Sequence, residues 1–306
     1  MVLGMVVAPL GRTLAKTLKK IKNHGKAGII CWACLWASAT MGRADWPDQP
    51  LIERLSDGSR MGLRRLTSEL RGSPFVLMGE LHDEPDHHRA QLMLIKALWE
   101  ARVVLAIGME MFRQDAQELL DRWVRGEIPE EEMEQIFGQN WAESSWVLYR
   151  DILRFARDNS IPVLGLNIPR EITQKVASSG YSSLPEEVRK DWGELNCDLQ
   201  EPYKSFLLWA FESHEGHKEK DWENFCQAQV LWDTAMAVRL LAFREAHPET
   251  TVVVLTGVGH AWMHGIPERI TRRSYLLCRV ILPDVQGRLK EGRLGTQDAD
   301  YLWLRY

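Results

Sequence analysis

Four apolar runs, each closed by a short polar cluster, constrain this chain more than any other feature. The runs are Pro74 to Met78, Val103 to Gly108, Ile161 to Leu166 and Thr251 to Thr256. The clusters that follow are Gly79-Glu80-Leu81-His82, Met109-Glu110-Met111, Asn167-Ile168-Pro169-Arg170 and Gly257-Val258-Gly259-His260. Short continuous apolar runs of this kind read as strands buried on both faces. Helical spacing fills the stretches between them, as at Leu92, Leu94, Ile95, Leu98 and Trp99. Strands alternating with helices predict an α/β fold: a mostly parallel sheet with helices on both faces. Ligands of such sheets bind beyond the carboxyl ends of the strands. The pattern therefore predicts one rim that gathers Glu80, His82, Glu110, Asn167, Arg170 and His260.

The rest of the chain fits around that frame. Asp83 and Glu84 before Pro85 predict a helix start capped by a carboxylate. Residues 184–246 lack a strand pattern and read as helices at Pro185–Trp192, Pro202–His214 and Asp221–Ala246. This helical insertion before the fourth core strand is the expected lid or dimer arm, on a surface separate from the rim. Tyr275 to Leu282 reads as a fifth strand. The expected organisation is a leader over 1–44, a single domain over 45–283 that opens with a polar lead-in at Trp46 to Arg71, and a C-terminal tail over 284–306.

Charge separates the leader from the rest. Residues 1–44 hold seven basic side chains and no acidic ones, and the remaining 31 basic against 42 acidic residues leave a net charge of −11. The basic head precedes a thirteen-residue apolar run, Ala27 to Ala39. That pattern predicts a secretory signal peptide cut after Ala39 or Ala44, and an exported, periplasmic or envelope-associated product. The run is too short for a stable membrane-spanning helix. A lipid anchor at Cys34 requires a small-residue box, which Cys31-Trp32-Ala33 fits poorly. Cys197, Cys226 and Cys278 remain after cleavage, so one disulfide at most is expected and no thiolate zinc site. The acidic mature chain argues against a nucleic-acid partner. Nucleophile-elbow, Walker and dinucleotide signatures are absent from the sequence.

The rim residues carry alternative readings. Gly-x-x-His occurs at two strand ends, Gly79 with His82 and Gly257 with His260, where glycine eases a backbone turn. Each histidine is either structural or functional. Glu80 and Glu110, beside or within apolar strand ends, are expected to be partly buried and need partners if charged. They pair with Arg170, cap helices, bind a divalent metal together with His82 and His260, or serve as general acid and base. Asn167 and Arg170 sit at the third strand end, and the guanidinium suits either those glutamates or an acidic ligand. His87 and His88 read as a solvated helix start. His214 and His217 in the insertion, and His264, are further candidate ligands.

At these residues the chain resembles the ChaN-type haem-binding family, within the superfamily of TIKI proteases, TraB-like proteins and erythromycin esterases. The resemblance runs from Phe75 to Pro283. It comprises Gly79-Glu-Leu-His82, Gly108-Met-Glu-Met-Phe112, Trp141 with Trp146 and Tyr149, Leu166-Asn-Ile-Pro-Arg170, Ala228-Gln-Val-Leu-Trp-Asp233 with Met236-Ala237, and Gly257-Val-Gly-His260. It implies an exported haem-binding protein of haem or iron uptake, a homodimer that holds haem at its interface. It also implies a tyrosine on each iron, which suits ferric haem, and a partner histidine on a propionate. Tyr203 and Tyr181, in or beside the insertion, are the tyrosines expected in that role, with His214 and His217 nearby. The superfamily's enzymes imply the other reading, a metal-dependent hydrolase built on the glutamate–histidine rim.

Overall fold

The computed structural model describes residues 50–195, 197–201, 203–212, 222–285 and 294–305. The expected signal peptide, Cys34, His214 and His217 lie outside these residues. The five apolar runs form strands, and three further strands join them. In chain order the strands are β1 (Leu51–Arg54), β2 (Arg60–Met61), β3 (Phe75–Glu80), β4 (Leu105–Arg113), β5 (Val163–Asn167), β6 (Thr251–Gly257), β7 (Cys278–Pro283) and β8 (Tyr301–Arg305). They make one sheet in the order β2-β1-β8-β7-β3-β6-β4-β5. Only the β1–β2 and β1–β8 pairings are antiparallel, so the core from β8 to β5 is parallel.

Two expectations need correction. The stretch expected as a polar lead-in supplies β1, β2 and the helix α1 (Leu63–Leu70), and the stretch expected as a tail supplies β8. Ile52 and Trp303 are fully buried partners across β1 and β8. β1 and β2 are short and flanked by polar residues, and β8, though apolar as Tyr301-Leu-Trp-Leu-Arg305, follows a polar, glycine-containing stretch that reads as a tail.

Helices cover both faces. On one side lie α1, α2 (Pro85–Glu100), α3 (Gln117–Val124), α4 (Glu130–Asn140) and α5 (Trp146–Asp158). The opposite side carries α6 (Arg170–Ser179), α7 (Glu186–Arg189), α8 (Tyr203–Glu212), α9 (Trp222–Ala246), α10 (Val258–Ala261) and α11 (Ile266–Thr271). Strand alternation divides the core: Val76 and Met78 of β3 face the α2–α5 layer, whereas Phe75 and Leu77 face the α9–α11 layer. α5 buries Trp146, Tyr149, Leu153 and Ala156, a stripe with helical spacing. The insertion is helical as expected, and Cys197 and Cys226 form a disulfide across 29 residues of sequence. Closing a loop of that length is worth about 3–4 kcal/mol in the chain-entropy model.

The connections place a crevice. From β3 the chain passes to β4 and β5 on one side, returns through the insertion to β6 between β3 and β4, then crosses to β7 on the other side. The strand order reverses at β6, which makes the carboxyl ends of β3, β6 and β4 the topological switch point.

Candidate functional site

Glu80, Glu110 and Gly257 stand at that switch point, on three adjacent strands. Both glutamates lie within their strands and are almost completely buried. Alternation sends them to opposite faces of the sheet. Glu80 follows the parity of Val76 and Met78, toward α2 and α5. Glu110 follows the parity of Ala106 and Gly108, toward α9 and α10. Just beyond Met109, β4 uses four residues where β5 uses two, a bulge that ends the regular ladder beside Glu110. Gly165 faces the bulge, where a Cβ would lie 2.2 Å from the carbonyl oxygen of Arg113.

The Glu80 carboxylate is enclosed by donors. Oε1 accepts from Tyr149 Oη and from His82 Nδ1 at 2.8 Å, and Oε2 accepts from Gln91 Nε2 at 2.6 Å. His88 Nδ1 stands 3.5 Å from Oε2. Burial, then the negative charge of Glu80, raises the Tyr149 phenol far above its ordinary pKa, so this tyrosine is a fixed donor. Burial opposes protonation of His82, yet its bond to Glu80 and the charges of Glu110 and Glu80 raise its pKa.

Glu110 is arranged differently. Oε2 accepts from Thr256 Oγ1 at 2.5 Å and from the Gly257 amide at 2.8 Å, while Oε1 faces His260 Nε2 at 3.6 Å. Burial pushes its carboxyl up, but the charges of His260 and His82 with the two hydrogen bonds outweigh this and hold it below the usual range. His260 Nδ1 donates to Asp233 Oδ1 at 2.6 Å. Burial disfavours its cation, yet Glu110 and Asp233 on either side raise its pKa to about 9. Burial also raises the Asp233 carboxyl, against the lowering effect of His260.

The two clusters meet at Gly257. A Cβ there would lie 3.0 Å from His82 Nε2 and 3.8 Å from Glu110 Oε2. Glycine is therefore needed for close approach, not for a turn: its φ is −55°. Gly79 is likewise a packing glycine, 3.2 Å from the Cα of Val258 at the position of a Cβ. The expectation that these glycines make unusual turns is corrected accordingly.

The remaining expected residues divide. Asn167 reaches the site as a brace: Nδ2 donates to the Glu110 carbonyl at 3.0 Å, and Oδ1 accepts from Trp232 Nε1 at 2.6 Å. Arg170 does not reach it. It opens α6 exposed to solvent, and among the described residues its side chain makes no hydrogen bond or ion pair with either glutamate. His87 and His88 are buried rather than solvated, and His87 Nδ1 accepts the Leu81 amide at 2.8 Å. Pro85 starts α2 as expected, but the Glu84 side chain makes no cap bond. Tyr203 is 1% exposed and donates to Asp233 Oδ2 at 3.3 Å; Tyr181 donates to the Gly193 carbonyl at 2.8 Å. Neither phenol is presented to a ligand. The separation expected between rim and insertion also fails. Phe206 of α8 packs on the rim loop, 2.9 Å from where a Cβ of Gly259 would be.

Tyr149, Gln91, Thr256 and Asp233 were not singled out as functional. Tyr149 and Asp233 do lie within the motif stretches of the family resemblance, which was the signal available for them. A divalent ion does not fit this arrangement. Among the described residues no three His, Cys, Asp or Glu side chains converge on a metal position. The lone pairs of Glu80 and one oxygen of Glu110 are taken by protein donors.

Comparison with known proteins agrees with this architecture. The fold superposes on ChaN of Campylobacter jejuni, a structure described as cofacial heme binding, with a TM-score of 0.67 and 19% identity, covering 84% of this chain and 97% of that one. The protein RETICULATA-RELATED 5, chloroplastic, of Arabidopsis thaliana is 23% identical over 291 residues, or 84% of this chain. The chain spans 38% of that relative's length. A family profile described as haem-binding uptake, Tiki superfamily, ChaN matches residues 66–270. The chain belongs to this ChaN haem-binding family.

Proposed function

We propose that the protein binds haem on the surface formed by α8 and the adjoining rim loop, and hands it on as cargo. The observation that carries this reading is the character of α8. Its sequence, Tyr203-Lys-Ser-Phe-Leu-Leu-Trp-Ala-Phe-Glu212, is apolar around most of its circumference, and Trp209 remains 41% exposed. Phe206 lies 5.1 Å from the buried Trp262 ring, which anchors α8 on the rim loop. A porphyrin needs a broad apolar wall with a few placed polar groups. His214 and His217 follow α8 directly in the sequence and are the proposed iron or propionate partners. The Tyr203 and Tyr181 hydroxyls, by contrast, are engaged by Asp233 and Gly193. A second copy covering the other haem face makes the complex a homodimer. Hemin titration tests this: a Soret band that saturates, weakened by Trp209→Ala and by the His214→Ala, His217→Ala pair, is expected. A flat titration at micromolar hemin rejects it.

The same reading places the protein outside the cytosol, in haem or iron uptake. The Cys197–Cys226 bond supports an oxidising compartment, as does the basic, acid-free leader. N-terminal sequencing of the mature protein, with a start at Thr40 or Asp45, is the check. Lipidation at Cys34 remains the alternative start.

A second reading is favoured by the paired dyads. Glu80–His82 and Asp233–His260 face one another across Glu110, an acid–base arrangement suited to hydrolysis without a metal. Turnover of an ester or amide, lost in Glu110→Gln with hemin binding retained, is its test.

A further inference from the structure

The Cys197–Cys226 bond joins the segment leading into α8 to the first turns of α9. Several contacts make that junction part of the rim. Cys226 and Asp233 are both buried and seven residues apart on α9, hence on one face of the helix. Asp233 accepts from His260 and from Tyr203, and Tyr203 opens α8 six residues after Cys197. Further along α8, Phe206 closes on Gly259. Beside the bond, Gln227 Oε1 accepts the Tyr181 amide at 2.7 Å. The start of α8 is thus tied covalently to α9, while its body covers the histidine side of the rim.

We propose that Cys197–Cys226 is a thiol–disulfide exchange site through which a dithiol reductant controls how tightly α8 covers the rim. The two sulfurs are not equivalent: Cys226 is fully buried and Cys197 is partly exposed. A reductant thiolate attacks Sγ of Cys197. The protein's S–S bond breaks, a mixed disulfide forms, and Cys226 leaves as a thiolate that takes up a proton. The second thiol of the reductant, as its thiolate, then attacks the reductant sulfur of the mixed disulfide. This releases the Cys197 thiolate, which is protonated, and the reductant departs as its own disulfide. Two electrons and two protons pass to the protein. Cys278 takes no part, because burial, then the charge of Asp300, pushes its thiol up to about 12. Once the covalent tie is gone, α8 is held to Asp233 and Gly259 by non-covalent contacts alone, and its opening becomes more frequent.

The test is hydrogen exchange of the full chain, followed by mass spectrometry in graded mixtures of reduced and oxidised dithiothreitol. Peptides covering 203–212 and 257–262 are expected to exchange about tenfold faster once the bond is reduced. Peptides of β3 and β4 should be unchanged, and the effect should reverse on reoxidation. The Cys197→Ser, Cys226→Ser double variant should match the reduced wild type; should it fail to fold, the reduced wild type alone gives the reading. A bond that opens only in denaturant overturns the proposal, as does reduction without faster exchange in 203–212. Because one arm draws on the haem reading, hemin binding is measured in parallel and should be weaker in the reduced protein, where α8 and the rim loop part more often. Absence of hemin binding in both states rejects the haem reading while the exchange measurement still decides the switch.

Discussion

The two faces of the sheet treat a buried glutamate in opposite ways. Glu80 lies among Tyr149, Gln91 and His82 and has no unoccupied oxygen. Glu110 keeps Oε1 for His260, and its charge is sustained largely by the two histidines. The first carboxylate organises three elements around itself and is expected to act mainly on stability. The second sits where charge is balanced between groups that titrate, and is expected to act mainly on protonation. Two glutamates that look alike in sequence, each two residues beyond an apolar run, thus differ through strand parity.

Substitutions test that contrast, the largest effect first. Glu80→Ala strands two buried donors, Tyr149 and Gln91, and the part-exposed His82, and urea unfolding should show a loss of about 3–5 kcal/mol. The Glu110→Gln variant keeps an acceptor for Thr256 and Gly257, and should cost about 1–2 kcal/mol. Its stronger signature is a fall in the His260 pKa from about 9 toward the ordinary value of 6.5, read by NMR titration. Equal losses of stability in the two variants would erase the distinction.

The pH dependence sharpens it. The folded-state pKa of His260 is raised, so its stabilising contribution is complete below about 6.5 and is lost as pH rises through about 9. Unfolding midpoints should therefore fall between those values, and His260→Gln should flatten the slope. Gly257→Ala places a methyl 3.0 Å from His82 Nε2. It should displace the imidazole at a cost of about 1 kcal/mol and lower the His82 pKa. Arg170→Ala should change stability by less than about 0.5 kcal/mol, as for an ordinary surface residue.

Much of this was legible in the sequence. The apolar runs at β3, β4, β5 and β6 announced buried parallel strands, and their polar endings marked the rim. What escaped was decided by geometry that periodicity does not encode. The bulge in β4 breaks its regular ladder just beyond Met109, and the strand runs on to Arg113. Asp233 sits in a 25-residue helix with little amphipathic contrast, where a carboxylate reads as surface. Tyr149 falls on an apolar stripe and reads as core, although its hydroxyl is the part that matters. Arg170 looked available because it follows a strand, but α6 begins there and carries the guanidinium into solvent.

β8 has a consequence for how the molecule is made. It lies between β1 and β7, and so joins the first strands of the fold to the parallel core. A nascent polypeptide therefore cannot finish its sheet until residues 301–305 have left the ribosome. Until then the β1–β2 pair has no neighbouring strand on which to complete its hydrogen bonds.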